Sequence, residues 1–112
     1  MSDDRALRIL ILASEIVPFA KTGGLADVAG ALPVAVSALG HDVRVAMPLY
    51  GRIDATKFQL EEVLASFDVP IHRAHQPARI LKCTIGPDIP VYMVQNTKYF
   101  DRKGIYMYPD DA

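Results

Sequence analysis

A parallel α/β sheet is the fold class the sequence predicts, and three observations predict it. Leu7-Arg8-Ile9-Leu10-Ile11-Leu12-Ala13 is a short apolar, partly β-branched run followed by a turn-prone segment. From Leu25 onward the apolar positions Leu25, Val28, Ala29, Leu32, Val36 and Leu39 recur at helical spacing. His41 to Pro48 then alternates, with Val43, Val45 and Met47 on one side. A strand, a crossover helix and a second strand within about forty residues make a βαβ unit, which is almost always right-handed. The opening of the chain is therefore Rossmann-like.

The elements follow in order. The first strand, over 7–13, reads as buried on both faces, as parallel strands are. Ser14 to Gly24 is polar and carries Pro18, Gly23 and Gly24, which marks a loop. The helix that follows has Asp27 in its first turn, where a carboxylate suits the positive end of the dipole. Gly40 is its natural stop. Pro33 lacks an N–H and crowds the carbonyl of Ala29, so a kink or restart is expected there. Phe58 to Leu60 and Val63 to Val69 fit a strand or a short helix equally. Ala78–Ile85 and Ile89–Val94 read as two strands joined through Gly86-Pro87-Asp88. Asn96 to Asp111 reads as a structured loop with a helix start near its end. With one complete βαβ unit in 112 residues, the chain is expected to be a piece of a longer protein.

Composition sets the class of partner. Lys and Arg (12) nearly balance Asp and Glu (13), leaving a net charge of −1. That gives no footprint for a nucleic-acid backbone or an anionic membrane, so neither is expected as a partner. The apolar run Ile9–Ala13 is too short for a membrane span, and Asp3 and Asp4 have the wrong sign for a signal peptide. A single cysteine, Cys83, cannot pair within the chain; it reads as buried filler, and the cytoplasm is the expected compartment. His72 and His75 are three apart but bracketed by Pro70 and Pro77 with no carboxylate or thiol beside them. No metal site is expected there, and no cofactor anywhere.

The informative segment is Lys21-Thr22-Gly23-Gly24-Leu25, between the first strand and the first helix. In open parallel sheets ligands bind beyond the carboxyl ends of the strands, where this loop must lie. Two glycines let the backbone approach a ligand, the helix start offers free N–H groups, and the lysine adds a mobile point charge. The set suits a phosphate or diphosphate. It also fits a plain glycine turn beside an exposed lysine, because neither G-x-G-x-x-G nor the Walker spacing is present. Glu15, a loop carboxylate, is expected to be solvated.

Residues 14–28, Ser14-Glu15-Ile16-Val17-Pro18-Phe19-Ala20-Lys21-Thr22-Gly23-Gly24-Leu25-Ala26-Asp27-Val28, resemble the amino-terminal signature of bacterial glycogen synthases and plant starch synthases. The resemblance continues through Gly30-Ala31-Leu32-Pro33, Leu39-Gly40-His41-Asp42-Val43-Arg44-Val45 and Met47-Pro48-Leu49-Tyr50-Gly51. It resumes at Tyr99-Phe100-Asp101-Arg102-Lys103-Gly104-Ile105-Tyr106. It implies a GT-B fold of two Rossmann-like domains with the active site between them. Residues 1–112 would be the first part of the amino-terminal domain, with the carboxyl-terminal domain absent. The implied reaction moves α-D-glucose from ADP-glucose to the non-reducing end of an α-1,4-glucan, glycogen or starch, with retention. The implied compartment is the cytoplasm, or the plastid for a plant protein.

By the same resemblance, Lys21 binds ADP-glucose, with Gly23 and Gly24 as backbone donors beside it. Asp27 is a candidate catalytic residue, although its place at a helix start explains it equally well. Other catalytic groups would lie in the missing region. Tyr99 and Phe100 are candidate glucan contacts, with burial against the sheet as the alternative. Asp101 and Arg102 fit a surface pair, and Asp110-Asp111 is not expected to hold a metal. Two rival functions remain at this point: a GT-B glucosyltransferase using another nucleotide sugar, and a non-catalytic module binding an anion or glucan.

Overall fold

The computed structural model describes residues 5–100. Its elements are β1 (Arg8–Leu12), α1 (Gly24–Ala38), β2 (Asp42–Pro48), β3 (Glu61–Ile71), β4 (Ala74–Ile85), β5 (Ile89–Gln95) and α2 (Thr97–Phe100). The strands form one sheet in the order β1-β2-β5-β4-β3. β1, β2 and β5 run parallel, and β4 and β3 are antiparallel additions. The expected parallel sheet thus holds for three strands only. The short Gly86 connection explains why: a tight turn cannot join parallel neighbours, so β4 must reverse.

The register sorts the side chains into two faces. Ile9 and Ile11 pair with Val43 and Val45, and across the next seam Val45 and Met47 pair with Val91 and Met93. This face carries the core, with Val45, Val91 and Met93 fully buried. Each such side chain contributes roughly 1.5–3 kcal/mol by leaving water. α1 and the segments 14–20 and 49–60 cover it, with Phe19 edge-on to Phe58 at 4.8 Å. The opposite face, with Leu10, Leu12, Ala46, Val94, Ile80 and Leu64, is open among the described residues. β1 is therefore not buried on both sides as expected: Leu10 and Leu12 are exposed.

α1 corrects the sequence reading twice. It runs through Pro33 as a single helix without a restart, and Pro33 itself is fully buried. Its inner face is Ala26, Ala29 and Pro33, while Leu25, Val28, Leu32 and Leu39 point outward. Small residues win the inner face because the helix lies close to the chain beneath it. A Cβ on Gly30 would stand 3.1 Å from the Val17 carbonyl oxygen. Gly40 ends the helix as expected, at φ +96, with its N–H on the Ser37 carbonyl at 2.9 Å.

β3 makes Val63–Val69 strand, whereas Phe58–Leu60 is neither strand nor helix but closes a turn, with the Leu60 N–H on the Ala55 carbonyl at 2.9 Å; β4 begins earlier than expected, at Ala74. The last β4–β5 pairing is Arg79 with Gln95. Beyond it, β3 and β4 continue as a two-stranded ribbon from Phe67 to Ala78 past the carboxyl edge of the sheet. Asn96 fastens its base: the buried amide donates to the Pro77 carbonyl at 2.9 Å, and its oxygen accepts the Tyr99 N–H at the start of α2.

Candidate functional site

The segment joining β1 to α1 lies beyond the carboxyl ends of the parallel strands and is held from several sides. The Tyr50 hydroxyl donates to the Ser14 carbonyl at 2.7 Å, and the Val17 N–H donates to the Ala26 carbonyl at 3.1 Å. Between these ties sits Glu15, only 1% exposed. Oε1 accepts the N–H groups of Thr22 (3.3 Å), Gly23 (3.1 Å) and Ala26 (3.2 Å), and Oε2 accepts the Thr22 hydroxyl. The solvated carboxylate expected at this position is therefore a buried one. Four donors and the positive end of α1 offset the cost of removing its charge from water.

The arrangement has a local cause. The N-cap of α1 is Gly23, in extended backbone, with no side chain to cap the helix. Glu15 supplies the missing acceptor from eight residues upstream. Sequence reasoning missed it because capping signals are sought at the N-cap itself. The signal available was a Gly-Gly helix start with no capping side chain, preceded by one loop carboxylate.

Lys21 stands just outside this knot. Its side chain is exposed and its Nζ lies 2.9 Å from each carboxylate oxygen of Asp27. The structure thus brings two of the predicted residues together as an ion pair. An exposed pair of this kind contributes little to stability, so the lysine is free to exchange partners. Gly23 differs from expectation: its N–H is committed to Glu15. Among the described residues no acceptor takes the N–H of Gly24 or Leu25. A Cβ on Gly23 or Gly24 would meet nothing within 4 Å, so the space before them is open to a ligand. Lys21 and the Gly24 and Leu25 amides together present an exposed, electropositive surface, of the kind that suits an anion.

The aromatic candidates separate. Tyr99 is 40% exposed, whereas Phe100 is half-buried against the core and meets Tyr50 edge-on at 6.5 Å. Phe100 also borders an apolar groove of about 420 Å³ with Leu12, Ser14, Met47 and Val94. Asp101, Arg102, Asp110 and Asp111 lie outside the described residues. Cys83 is half-buried, and burial pushes its thiol up to about 11. His72 and His75 fall on the β3–β4 turn and the start of β4, and no group of three metal-ligating side chains occurs among the described residues. No described helix is long and apolar enough to cross a membrane.

Comparison with known proteins gives a consistent picture. The family described as starch synthase catalytic domain matches residues 8–112. A glycogen synthase of Syntrophotalea carbinolica is 44% identical over 111 residues, covering 95% of this chain and 23% of that protein. Glycogen synthase 1 of Geobacter sulfurreducens is 46% identical over 102 residues, covering 89% and 20%. Among solved structures, the catalytic domain of starch synthase IV from Arabidopsis thaliana, bound to ADP and acarbose, superposes with a TM-score of 0.82 at 26% identity. That match covers 96% of this chain and 22% of the other. The chain spans about a fifth of the length of the relatives it matches.

Proposed function

The chain belongs to the starch synthase catalytic domain family, and from that membership we propose that it is the amino-terminal part of a retaining glucosyltransferase. The donor is ADP-glucose and the acceptor the non-reducing end of an α-1,4-glucan. The observation that carries this reading is the Lys21 loop: a mobile ammonium and two unclaimed amides at the carboxyl edge of a parallel sheet. A diphosphate is the ligand such a surface suits, and the similar starch synthase IV is described as bound to ADP.

Lys21 leaves Asp27 for the diphosphate and neutralises the charge that builds on it as the glycosidic bond breaks. The Gly24 and Leu25 N–H groups orient the same oxygens. Asp27 keeps the lysine extended over the loop until the donor arrives. Tyr99, open to solvent, is the aromatic placed to meet the glucan, and Phe100 supports it from the core. The bacterial relatives favour the cytoplasm as the compartment and lend no support to a plastid. The test is labelled-glucose incorporation into glycogen by the full-length polypeptide, from ADP-glucose and UDP-glucose in parallel. The reading expects α-1,4 product from ADP-glucose, and incorporation from UDP-glucose alone or from neither overturns it.

A further inference from the structure

We propose that Glu15 is a positioning residue for Lys21, acting as an internal anion that fixes the loop from behind. This rests on the function proposed above and adds a group that never touches substrate. The buried carboxylate claims the N–H of Thr22, Gly23 and Ala26 and the Thr22 hydroxyl. Thr22 follows Lys21 directly, so two bonds to Glu15 set where the lysine's backbone stands while its side chain stays mobile. The carboxylate also divides the amino end of α1 into an inner set of amides facing Glu15 and an outer pair, Gly24 and Leu25, facing solvent. Without it, all of these donors would compete for the incoming diphosphate in many loop geometries. With it, one geometry is prepared before the donor binds, which lowers the reorganisation needed in the transition state.

The carboxylate itself is held in place. Ser14 before it is bound by Tyr50, and Ile16 after it is fully buried and accepts the Phe19 N–H at 2.8 Å. Its position is therefore set by the core and transmitted outward to the loop.

Two measurements on the full-length polypeptide test this. The first is amide exchange in the wild type: Thr22, Gly23 and Ala26 exchange slowly, while Gly24 and Leu25 exchange at least tenfold faster, and added ADP slows only that pair. Gly23 exchanging as fast as Gly24 overturns the proposal without any variant having to fold. The second is a double-mutant cycle on kcat/KM for ADP-glucose. Glu15→Gln keeps size and loses charge, and is expected to cost roughly ten- to a hundred-fold, mostly in kcat. On a Lys21→Gln background the same change costs less than about threefold, because the two residues act as a unit. Equal losses on both backgrounds mean that Glu15 does not act through Lys21, and they overturn the proposal. Unchanged kinetics for Glu15→Gln overturn it too. A wild type that transfers no glucose from ADP-glucose defeats the parent reading instead, while the exchange pattern still judges the hold of Glu15 on the loop.

Discussion

At the scale of single residues, the loop separates an exposed charge, Lys21, from a buried one, Glu15. Lys21 is exposed and, among the described residues, paired with exposed Asp27, so its removal should leave the fold untouched. In the full-length polypeptide Lys21→Gln is expected to lower kcat/KM for ADP-glucose roughly ten- to a hundred-fold, through the loss of one charge-assisted contact of about 1.5–3 kcal/mol. The thermal midpoint should barely move, since surface changes of this kind stay within about 0.5 kcal/mol. Lys21→Arg should recover little, because a planar fork does not occupy the place of a compact ammonium. Steady-state kinetics beside a thermal melt checks all three, and unchanged kinetics would make Lys21 a plain surface residue. The loop itself was legible in the sequence, as Lys21 and the paired glycines between a strand and a helix. Its anchor was not, because Glu15 acts across eight residues and a lone loop carboxylate gives no periodic signal. The engagement of the Gly23 N–H by Glu15 was hidden for the same reason.

At the scale of elements, patterns with a single solution were legible and patterns with two were not. β2 alternates strictly, and Val43, Val45 and Met47 are the buried set it announces. α1 carries two candidate faces, one of large apolar residues and one of small ones. Periodicity favours the large face, but close approach to Val17 selects the small one. The β3–β4 ribbon was the least legible element, because β3 is exposed along most of its length and lacks the apolar alternation that reveals a half-buried strand. Its turn is a two-residue loop, with Ile71 paired to Ala74 and His72 at φ +56. A side chain there strains the backbone by about 1–2 kcal/mol, partly offset in a glycine variant by greater unfolded-state entropy. His72→Gly should therefore stabilise the ribbon by about 0.5–1 kcal/mol. Hydrogen exchange of the β3 and β4 amides should slow severalfold, and faster exchange would show that the histidine contributes contacts of its own.

At the scale of the whole molecule, the chain leaves large apolar side chains in water: Leu10 and Leu12 on the open sheet face, and Leu25, Val28 and Leu32 along the outer side of α1. The 112-residue chain alone is therefore expected to self-associate and to transfer no glucose, since one half of a cleft cannot exclude water or enclose a diphosphate. Sedimentation of the isolated chain checks the first point and labelled-glucose incorporation the second. A monomer melting cooperatively above about 65 °C would show that residues 1–112 make a self-sufficient domain. Replacing Leu10 and Leu12 by Glu and Lys should shift the sedimentation profile toward monomer, as the outermost strand then meets water with charge. The ribbon has a further consequence, of a steric kind. From Arg79 to Ala74 it extends roughly 17 Å past the last β4–β5 pair, on the flank away from β1. Among the described residues the carboxyl edge is thus a terrace with a parapet along one side, open toward the β1 flank and from above. Any extended ligand laid along that terrace would be steered by the parapet, whereas a compact one would descend without meeting it.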